Sequence, residues 1–421
     1  MKKSFLFIFQ LFICFIFFNV NSFAQTRKCG MVEYMNQQLQ DPDFARKYQE
    51  NQTKFREALA RRIAFNGANF NKTTPFIIPV AVHFPEAQES DRACLEALTQ
   101  NQIDILNADF KASNSDANLW TTASSFYPGI NHGVADIEFR IATKNHPPGL
   151  DAELLEGNPA VTIGYNFGNG NDQDPNWSGY MNFIIKDLDG DLLGYSPLGG
   201  SISSGQSVVM SLKFFGSGAG CSGSGIVPKA PYDLGRTVTH ELGHFYNLNH
   251  PWGGDGECGL DDGIADTPNI SKPNYGCPDS GSILGCEPNE KALTMNYMDY
   301  VNDACMYMFT EGQITVVESY LETIKDDFKT DVLNVRSEIF EAFSIFPNPN
   351  KGSFKVKFKA ASNGDVKIHI YDIKGRRIYN QDFENRINFS QTINLENVQS
   401  GIYVMTISNG DAQLTKRVII N

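Results

Sequence analysis

Three of the chain's seven histidines lie in one short segment, HELGHFYNLNH at residues 240–250. Histidines spaced i and i+4 share one face of a helix, so the imidazoles of His240 and His244 can reach the same Zn²⁺. His250 can supply a third ligand if the chain turns first, and Asn247 permits that turn because asparagine tolerates the left-handed backbone conformation. Three protein ligands leave one coordination position open, as in catalytic zinc sites.

The residue after the first histidine adds a second chemical function. The carboxylate of Glu241 can take a proton from an attacking water beside the metal. A purely structural zinc site has no need of such a general base, so the segment favours an enzyme that hydrolyses its substrate. The alternative is a non-catalytic secreted adhesin or binding protein with a structural metal site.

The sequence around this segment predicts the elements that must position it. A helix is expected to begin at Asp233, a suitable N-cap, and to carry the first two histidines. A loop region rich in cysteine and glycine follows over residues 253–296. The whole pattern predicts an α+β domain over residues 73–335. The other expected elements are helices over 43–63, 93–110 and 311–325 and strands over 77–83, 134–142, 182–188 and 207–215.

Composition limits the classes of protein that the chain can represent. Its 421 residues exceed what one hydrophobic core usually fills, so more than one folding unit is expected. The net charge is −13, and the 35 Lys and Arg residues are scattered along the chain. Because a phosphate-binding face needs clustered positive charge, the composition argues against a nucleic-acid partner.

The two ends of the chain differ from this central domain. Two lysines precede an apolar run over residues 5–18, which predicts a secretory signal peptide over residues 1–24. The run is shorter than the roughly 20 residues of a membrane span, so no transmembrane segment is expected after signal removal. Residues 25–72 are polar and end in an Asn- and Thr-rich linker. Residues 336–421 show six short alternating strands between residues 353 and 420 and no cysteine, which predicts a small all-β sandwich.

The zinc segment resembles that of the metzincin proteases. HExxHxxNxxH, followed by NYMDY at residues 296–300, is similar to the pappalysin family in particular. Further similar stretches lie at residues 192–195, 266–268 and 305–313, so the resemblance covers most of residues 73–335. It implies a metzincin catalytic domain with a mixed sheet, a zinc-binding active-site helix and a Met-turn.

The resemblance also implies roles for individual residues. Met298 would be the Met-turn residue beneath the zinc site, and Tyr300 the phenol that stabilises the tetrahedral intermediate by hydrogen bonding. Without the zinc segment, core packing would be the simpler interpretation of both residues. Asn247 departs from the family, because most metzincins have glycine at that position. The implied activity is zinc-dependent hydrolysis of proteins or peptides, with Glu241 activating water.

Four cysteines follow the zinc segment in a stretch that is short of regular structure: Cys258, Cys277, Cys286 and Cys305. The sequence does not choose among their three possible connectivities. The resemblance implies that the first pairs with the third and the second with the fourth, each bridge adding ~3 kcal/mol by the chain-entropy model. Cys94 and Cys221 are candidates for a further bridge.

An acidic loop at residues 261–267 offers hard oxygen ligands. It resembles the family's calcium site, with Asp262 and Thr267 the best-placed side chains. The alternative is a solvated acidic turn without an ion.

The C-terminal strands resemble the type IX secretion sorting domain. The similar stretches are FPNP at 346–349, YD at 371–372, GIY at 401–403 and KRVI at 416–419. They imply the type IX secretion machinery as a partner and passage through the periplasm to the medium or the cell surface. A carbohydrate-binding sandwich is the alternative, although such domains usually need an exposed aromatic platform and this segment has no tryptophan.

The chain has eight cysteines, and Cys14 is expected to leave with the signal peptide. Of the seven that remain, Cys29 is left over when the other six pair. A thiolate is a strong zinc ligand, so Cys29 could fill the open fourth position and displace the catalytic water. This resembles the cysteine switch of pappalysin zymogens and implies a propeptide over residues 25–72, removed by a cut in the linker. The alternative is that Cys29 pairs with Cys94 or Cys221 and only holds the N-terminus in place.

Substrate choice is expected to depend on a position beside Cys305. Arg-specific relatives carry an aspartate directly before this cysteine, whereas this chain has Ala304 there and Asp303 one residue earlier. We therefore expect a weaker preference for Arg or Lys after the scissile bond.

Overall fold

A computed structural model gives the architecture of the chain. The expected signal peptide over residues 1–24 and the expected linker before Phe76 lie outside the described residues. Within the part that is described, no helix is both long and apolar enough to cross a membrane. The described residues are 27–64, 75–253, 257–333, 341–359, 365–372, 374, 376–384, 388–395, 398–409 and 412–421.

Two helices precede the first strand: α1 (Met31–Gln38) and α2 (Pro42–Ala64). The buried side chains of α2 recur every three or four residues and therefore lie on one face of the helix. This face packs on α6 (Glu311–Ile324), where the ring of Phe55 lies 5.8 Å from the ring of Tyr320. The buried residues of α2 are Gln52, Phe55, Ala58 and Arg62.

Six strands form one mixed sheet in the order β2-β1-β4-β6-β5, with β3 also paired to β1. All pairings are parallel except that of β5, which runs antiparallel to β6 at the edge of the sheet. Sequence patterns located the longer strands, but β3 and β5 span only three and two residues and were missed. The strands are β1 (Phe76–Phe84), β2 (Ile137–Ile141), β3 (Val161–Ile163), β4 (Met181–Lys186), β5 (Gly194–Tyr195) and β6 (Ser207–Ser211).

The core of this domain contains buried side chains from the sheet and from four helices. These helices are α2, α3 (Arg92–Phe110), α5 (Arg236–Phe245) and α6, while α4 (Trp120–Ala123) is a single turn. The mixed sheet and the helices confirm the predicted α+β class. Strand β6 is shorter than the predicted 207–215, because the chain turns where the Phe214 amide donates a hydrogen bond to the Ser211 carbonyl at 3.0 Å.

The predicted N-cap of the zinc helix, Asp233, is wrong. Helix α5 begins at Arg236, and its N-cap is Gly235 in the left-handed conformation at φ 76°. The carboxylate at this helix start comes instead from Asp303, which accepts hydrogen bonds from the amides of Leu234 (2.9 Å) and Arg236 (3.2 Å). A residue distant in sequence has taken the role that a local aspartate usually fills.

Three disulfides join the described cysteines of this domain: Cys94–Cys221, Cys258–Cys286 and Cys277–Cys305. The second and third have the pairing that the family resemblance implies. Both lie in the long connection between α5 and α6, whose described residues contain no α-helix or strand. Cys29 is free and buried, so the alternative in which it pairs with Cys94 or Cys221 is excluded.

The C-terminal region contains two antiparallel sheets, ordered β10-β9-β12-β13 and β11-β8-β7. Alternate residues of both sheets meet in one apolar core, which confirms the predicted β-sandwich. The prediction of six strands omitted β7. The strands are β7 (Glu341–Phe346), β8 (Ser353–Lys359), β9 (Val366–Tyr371), β10 (Arg377–Phe383), β11 (Asn388–Asn394), β12 (Gly401–Asn409) and β13 (Ala412–Ile420).

Candidate active site

The three histidines of the zinc segment converge on one point. His240 and His244 lie on α5, and each Nδ1 is 2.7 Å from a backbone carbonyl oxygen, that of Tyr297 for His240 and of Leu248 for His244. A carbonyl can only accept, so each Nδ1 carries the proton and each Nε2 keeps its lone pair. The three Nε2 atoms, including that of His250, lie 3.1–3.3 Å apart.

These distances fit a zinc ion. Tetrahedral coordination with Zn–N bonds of about 2.0–2.1 Å places nitrogen ligands about 3.3–3.4 Å from one another. Burial lowers the pKa of His244 to about 4 and the pKa of His240 and His250 well below the usual value, so the imidazoles are neutral and able to bind a metal. Together with the Cys29 thiol they form a group of four donor atoms within 4.8 Å of one another.

The turn after α5 brings His250 back to the helix. Asn247 has a left-handed backbone at φ 73°, and its amide donates to the His244 carbonyl at 2.8 Å. Met298 lies beneath the helix, fully buried, where a β-carbon on Gly243 would be 2.4 Å from its sulfur. Glycine at position 243 thus permits close contact between the zinc helix and the segment that carries Met298.

Glu241 is fully buried beside the histidines. Its Oε2 accepts a hydrogen bond from the Cys29 thiol at 3.5 Å, and its Oε1 has no partner among the described residues. Burial raises the pKa of Glu241 to about 8. A cation bound at the histidines would lower this pKa and favour the carboxylate form.

Two aromatic residues complete the surroundings of the site. The Tyr300 ring lies 5.7 Å from His240 and 5.1 Å from His250, and burial keeps its pKa well above the usual value, so the phenol retains its proton. Trp252 stacks on His250 at 4.3 Å with an interplanar angle of 7°. Sequence reasoning missed Trp252, although its position two residues after a ligand was an available signal.

The N-terminal residues run along the edge strand β5. The Gly30 amide donates to the Gly194 carbonyl at 3.0 Å, and the Leu193 amide donates to the Lys28 carbonyl at 3.0 Å, in parallel pairing. This pairing holds Cys29, only 6% exposed, against the histidines. Burial and the nearby Glu241 raise the pKa of the Cys29 thiol.

Arg27 is a second buried N-terminal residue, which sequence reasoning did not identify. Its guanidinium donates to Thr237 Oγ1 at 3.0 Å and lies 3.5 Å from the Asp303 carboxylate. The ring of Tyr232 lies 5.3 Å from the same guanidinium. The expected weak basic preference was based on Ala304, but Ala304 is exposed and Asp303 is the residue that faces the guanidinium.

The acidic loop places its carboxylates in different surroundings. Asp266 accepts hydrogen bonds from Thr310 Oγ1 and the Gly312 amide at the start of α6. Asp262 Oδ2 and Thr267 Oγ1 are buried without a hydrogen-bond partner among the described residues. Burial raises the pKa of Asp262 to about 8. Two orphaned oxygens are compatible with a cation, but the four-residue group at the zinc site is the only potential metal cluster found among the described residues.

Two family models match the chain. Residues 228–322 match pregnancy-associated plasma protein-A, and residues 344–421 match the secretion system C-terminal sorting domain. Extracellular metalloprotease 1 of Coccidioides posadasii is 39% identical over 267 residues, which cover 60% of this chain and 80% of that protein. An extracellular metalloprotease of Verticillium alfalfae is 28% identical over 256 residues, which cover 59% of this chain and 78% of that protein.

Solved structures of mirolysin from Tannerella forsythia are similar to the same region. Mature mirolysin in complex with a cleaved peptide has 31% identity and a TM-score of 0.50, covering 61% of this chain and 97% of mirolysin. A promirolysin mutant has 30% identity and a TM-score of 0.53, covering 71% of this chain and 95% of the other.

The fold and these relatives define a metalloendopeptidase with the metzincin architecture. More narrowly, the chain belongs to the pappalysin family, whose zinc dependence it is expected to share, and it carries a C-terminal secretion sorting domain. The protein is therefore exported to the extracellular space or the cell surface. The adhesin and carbohydrate-binding alternatives do not agree with these matches.

Proposed function

We propose that this protein is a zinc-dependent endopeptidase made as a latent precursor, with His240, His244 and His250 as zinc ligands and Glu241 as general base. The observation that carries the proposal is the convergence of three Nε2 atoms beside a buried carboxyl group, with the lone pairs of His240 and His244 fixed by their Nδ1 hydrogen bonds. Such an arrangement is costly unless a cation compensates it, because buried lone pairs without a donor are unfavourable.

Each residue of the site has a distinct task in peptide hydrolysis. Zinc, when bound, supplies a Lewis acid that polarises the scissile carbonyl and acidifies the attacking water. Glu241 accepts the proton of that water and passes it to the departing amine. Tyr300, protonated at neutral pH, donates a hydrogen bond to the developing oxyanion. The carbonyls of Tyr297 and Leu248 orient the ligands.

Latency is proposed to result from residues 28–30 around Cys29, called here the Cys29 strand because they pair with β5 through an isolated parallel bridge. This pairing holds the thiol within the four-donor group. With zinc bound at the histidines, the Cys29 sulfur would supply the fourth ligand and would keep the catalytic water out. The similarity to promirolysin, a proenzyme by its name, supports this proposal. The propeptide over 25–72, the catalytic domain over 73–335 and the tail from 336 remain proposed boundaries.

Cleavage is proposed to occur before Arg or Lys. Arg27 lies two residues before Cys29 and buries its guanidinium in a pocket with Asp303 and Thr237. Once the prosegment leaves, this pocket retains a buried carboxylate that a basic substrate side chain can neutralise. Burial raises the pKa of Asp303, and Arg27, the amides of Leu234 and Arg236, and the Arg236 charge counteract this. Without Arg27 the carboxylate loses its ion-pair partner in this pocket, which favours a cationic occupant.

Two further partners complete the proposal. The sorting domain is proposed to engage the type IX machinery after passage through the periplasm, which the family match at 344–421 supports. Asp262 and Thr267 are proposed to bind structural Ca²⁺ through their orphaned oxygens.

Hydrolysis of casein by the purified protein tests the proposal. We expect activity to vanish with a zinc chelator, to return with added Zn²⁺, and to fall about 10²- to 10⁴-fold in Glu241→Ala. Glu153→Ala removes an exposed carboxylate of the same domain and serves as the matched control. Hydrolysis that survives both chelation and Glu241→Ala would refute the zinc mechanism.

A further inference from the structure

Helix α2 buries an amide side chain at a specific point of the zinc segment. Gln52 is 8% exposed, although most of its neighbours on α2 face solvent. Its Nε2 donates a hydrogen bond to Asn247 Oδ1 at 2.7 Å. The acceptor belongs to the residue that turns the chain between His244 and His250. The prosegment thus contacts the zinc segment at a position other than the Cys29 thiol.

The backbone around Asn247 leaves room for this amide pair. Gly199 has φ +67°, and a β-carbon there would lie 2.8 Å from both Asn247 Oδ1 and Gln52 Nε2. The amides of Gly199 and Gly200 donate to the carbonyls of His244 and Phe245 at 2.9 Å each. This two-glycine strip therefore caps the end of the zinc helix and also admits the side chain of Gln52.

Glycine would suit the turn at position 247 better than asparagine, since glycine adopts a positive φ without strain. A side chain at that position is therefore explained by an interaction rather than by backbone geometry. Among the described residues, the interaction that the Asn247 side chain makes is the one with Gln52. The rest of α2 is held at a distance from the turn, by Phe55 on Tyr320 and by the Arg62–Glu318 ion pair at 2.8 Å.

We propose that Asn247 is a docking residue for the prosegment. Its hydrogen bond with Gln52 helps to hold α2 on the turn of the zinc segment, and the precursor is latent while α2 stays there. The proposal rests on the latent precursor proposed above. Latency then has two attachment points on one ligand segment: the thiol at the open coordination position and the amide at the turn. Departure of α2 frees Asn247, whereas departure of the Cys29 strand alone leaves this contact in place.

Hydrogen–deuterium exchange of the full-length precursor tests the proposal in a Glu241→Ala background, which prevents self-processing. Gln52→Ala and Asn247→Gly should each speed exchange of the α2 amides about fivefold, the factor for one buried hydrogen bond. The double variant should show no further increase, because both changes remove the same contact. Gln49→Ala, an exposed amide on the same helix, is the matched control and should have no effect.

The zinc content of the variants shows whether Asn247 serves to dock the prosegment or to maintain the turn that positions His250. We expect both single variants to retain the parent's zinc, since glycine preserves the left-handed turn. Three results would each overturn the proposal. They are unchanged exchange of the α2 amides in Gln52→Ala, additive effects in the double variant, and loss of zinc from Asn247→Gly. The readout needs no hydrolysis, so its failure is distinguishable from failure of the proposed enzymatic function.

An activity measurement adds a second check. In the chain with Glu241 intact, Gln52→Ala should speed loss of latency by the same factor and leave the rate of the mature product unchanged, because the prosegment is then absent. A Gln52→Ala precursor that activates at the parental rate would contradict the proposal.

Discussion

The catalytic domain buries ionisable side chains, whereas the C-terminal sandwich buries almost none. The three zinc-segment histidines and Glu241 are each at most 2% exposed. In the described part of the sandwich the core is apolar, and Asn350 is the one buried polar residue. The core of the catalytic domain therefore contains groups that can do chemistry, at a cost in stability, whereas the described core of the sandwich serves folding.

This contrast indicates what a catalytic site requires beyond a core. Buried polar groups are unfavourable unless partners compensate them, so the catalytic domain fixes its histidines with backbone carbonyls and constrains its loops with three disulfides. The sandwich has no cysteine and depends on alternation of apolar and polar residues. Catalysis and export should therefore be separable by mutation.

The largest expected effect follows from removing the sandwich. Deletion of residues 344–421 should abolish export and leave hydrolysis by the purified catalytic region intact, because the sandwich core is a separate cluster from the catalytic core. Immunoblots of cells and medium, beside casein hydrolysis, provide the measurement. Glu241→Ala is the reciprocal control and should be exported normally. Loss of hydrolysis on deletion would mean that the two regions are not independent.

Specificity should change next, within the catalytic region. Asp303→Asn keeps an oxygen that can accept from the amides of Leu234 and Arg236 but removes the charge that faces Arg27. The preference for Arg over Leu after the scissile bond should fall about tenfold to a hundredfold, as a charge-assisted hydrogen bond is lost. The preference is measured as the ratio of kcat/KM for two peptides that differ only in having Arg or Leu after the scissile bond. Ala304→Asp is the control and should change the preference for Arg over Leu only slightly, since Ala304 is exposed. A strong gain in this preference would instead favour the expectation that the residue directly before Cys305 sets it.

Removal of the Cys29 thiol should have a smaller effect than the change in specificity. Cys29→Ala should raise activity of the uncleaved precursor about tenfold, since each 1.4 kcal/mol lost from prosegment binding raises the open fraction tenfold. Arg27 and α2 continue to hold the prosegment, so full activity still requires its removal. A rate assay on precursor with a blocked linker measures the change. Equal latency of Cys29→Ala and the parent would show that the thiol is not the switch.

Removal of a single disulfide is expected to have the smallest effect on activity, because it changes the stability of the catalytic domain and leaves the site residues in place. Joint replacement of Cys277 and Cys305 by alanine should destabilise the catalytic domain by about 3 kcal/mol, because the bridge closes a sequence separation of 28 residues. Calorimetry should show a lower catalytic transition and an unchanged sandwich transition. A shift in both transitions would indicate that the regions unfold together.

Local spacing was sufficient to predict which residues of the candidate site come together. The histidine spacing, Glu241 and the turn at Asn247 all lie within eleven residues, so the sequence pattern carries their geometry. The longer strands and the sandwich were predictable for the same reason, as periodicity reflects burial.

Features that depend on distant residues were not predictable. Asp303 replaces Asp233 at the start of the zinc helix, and Arg27 reaches the same carboxylate from the N-terminus. The edge strand β5 is two residues long and is defined by its partners rather than by its own composition. Such contacts depend on the folded chain and leave no local periodicity.

The two disulfides of the loop region interleave: Cys258 joins Cys286, and Cys277 joins Cys305, so each bridge encloses one end of the other. A single backbone cut anywhere between the first and last of these cysteines therefore leaves the two pieces covalently joined. Exposed loops are the usual sites of proteolytic nicking. An endopeptidase that works among its own copies can thus be nicked between Cys258 and Cys305 without losing the covalent link between its three clustered histidines and the segment that carries Tyr300.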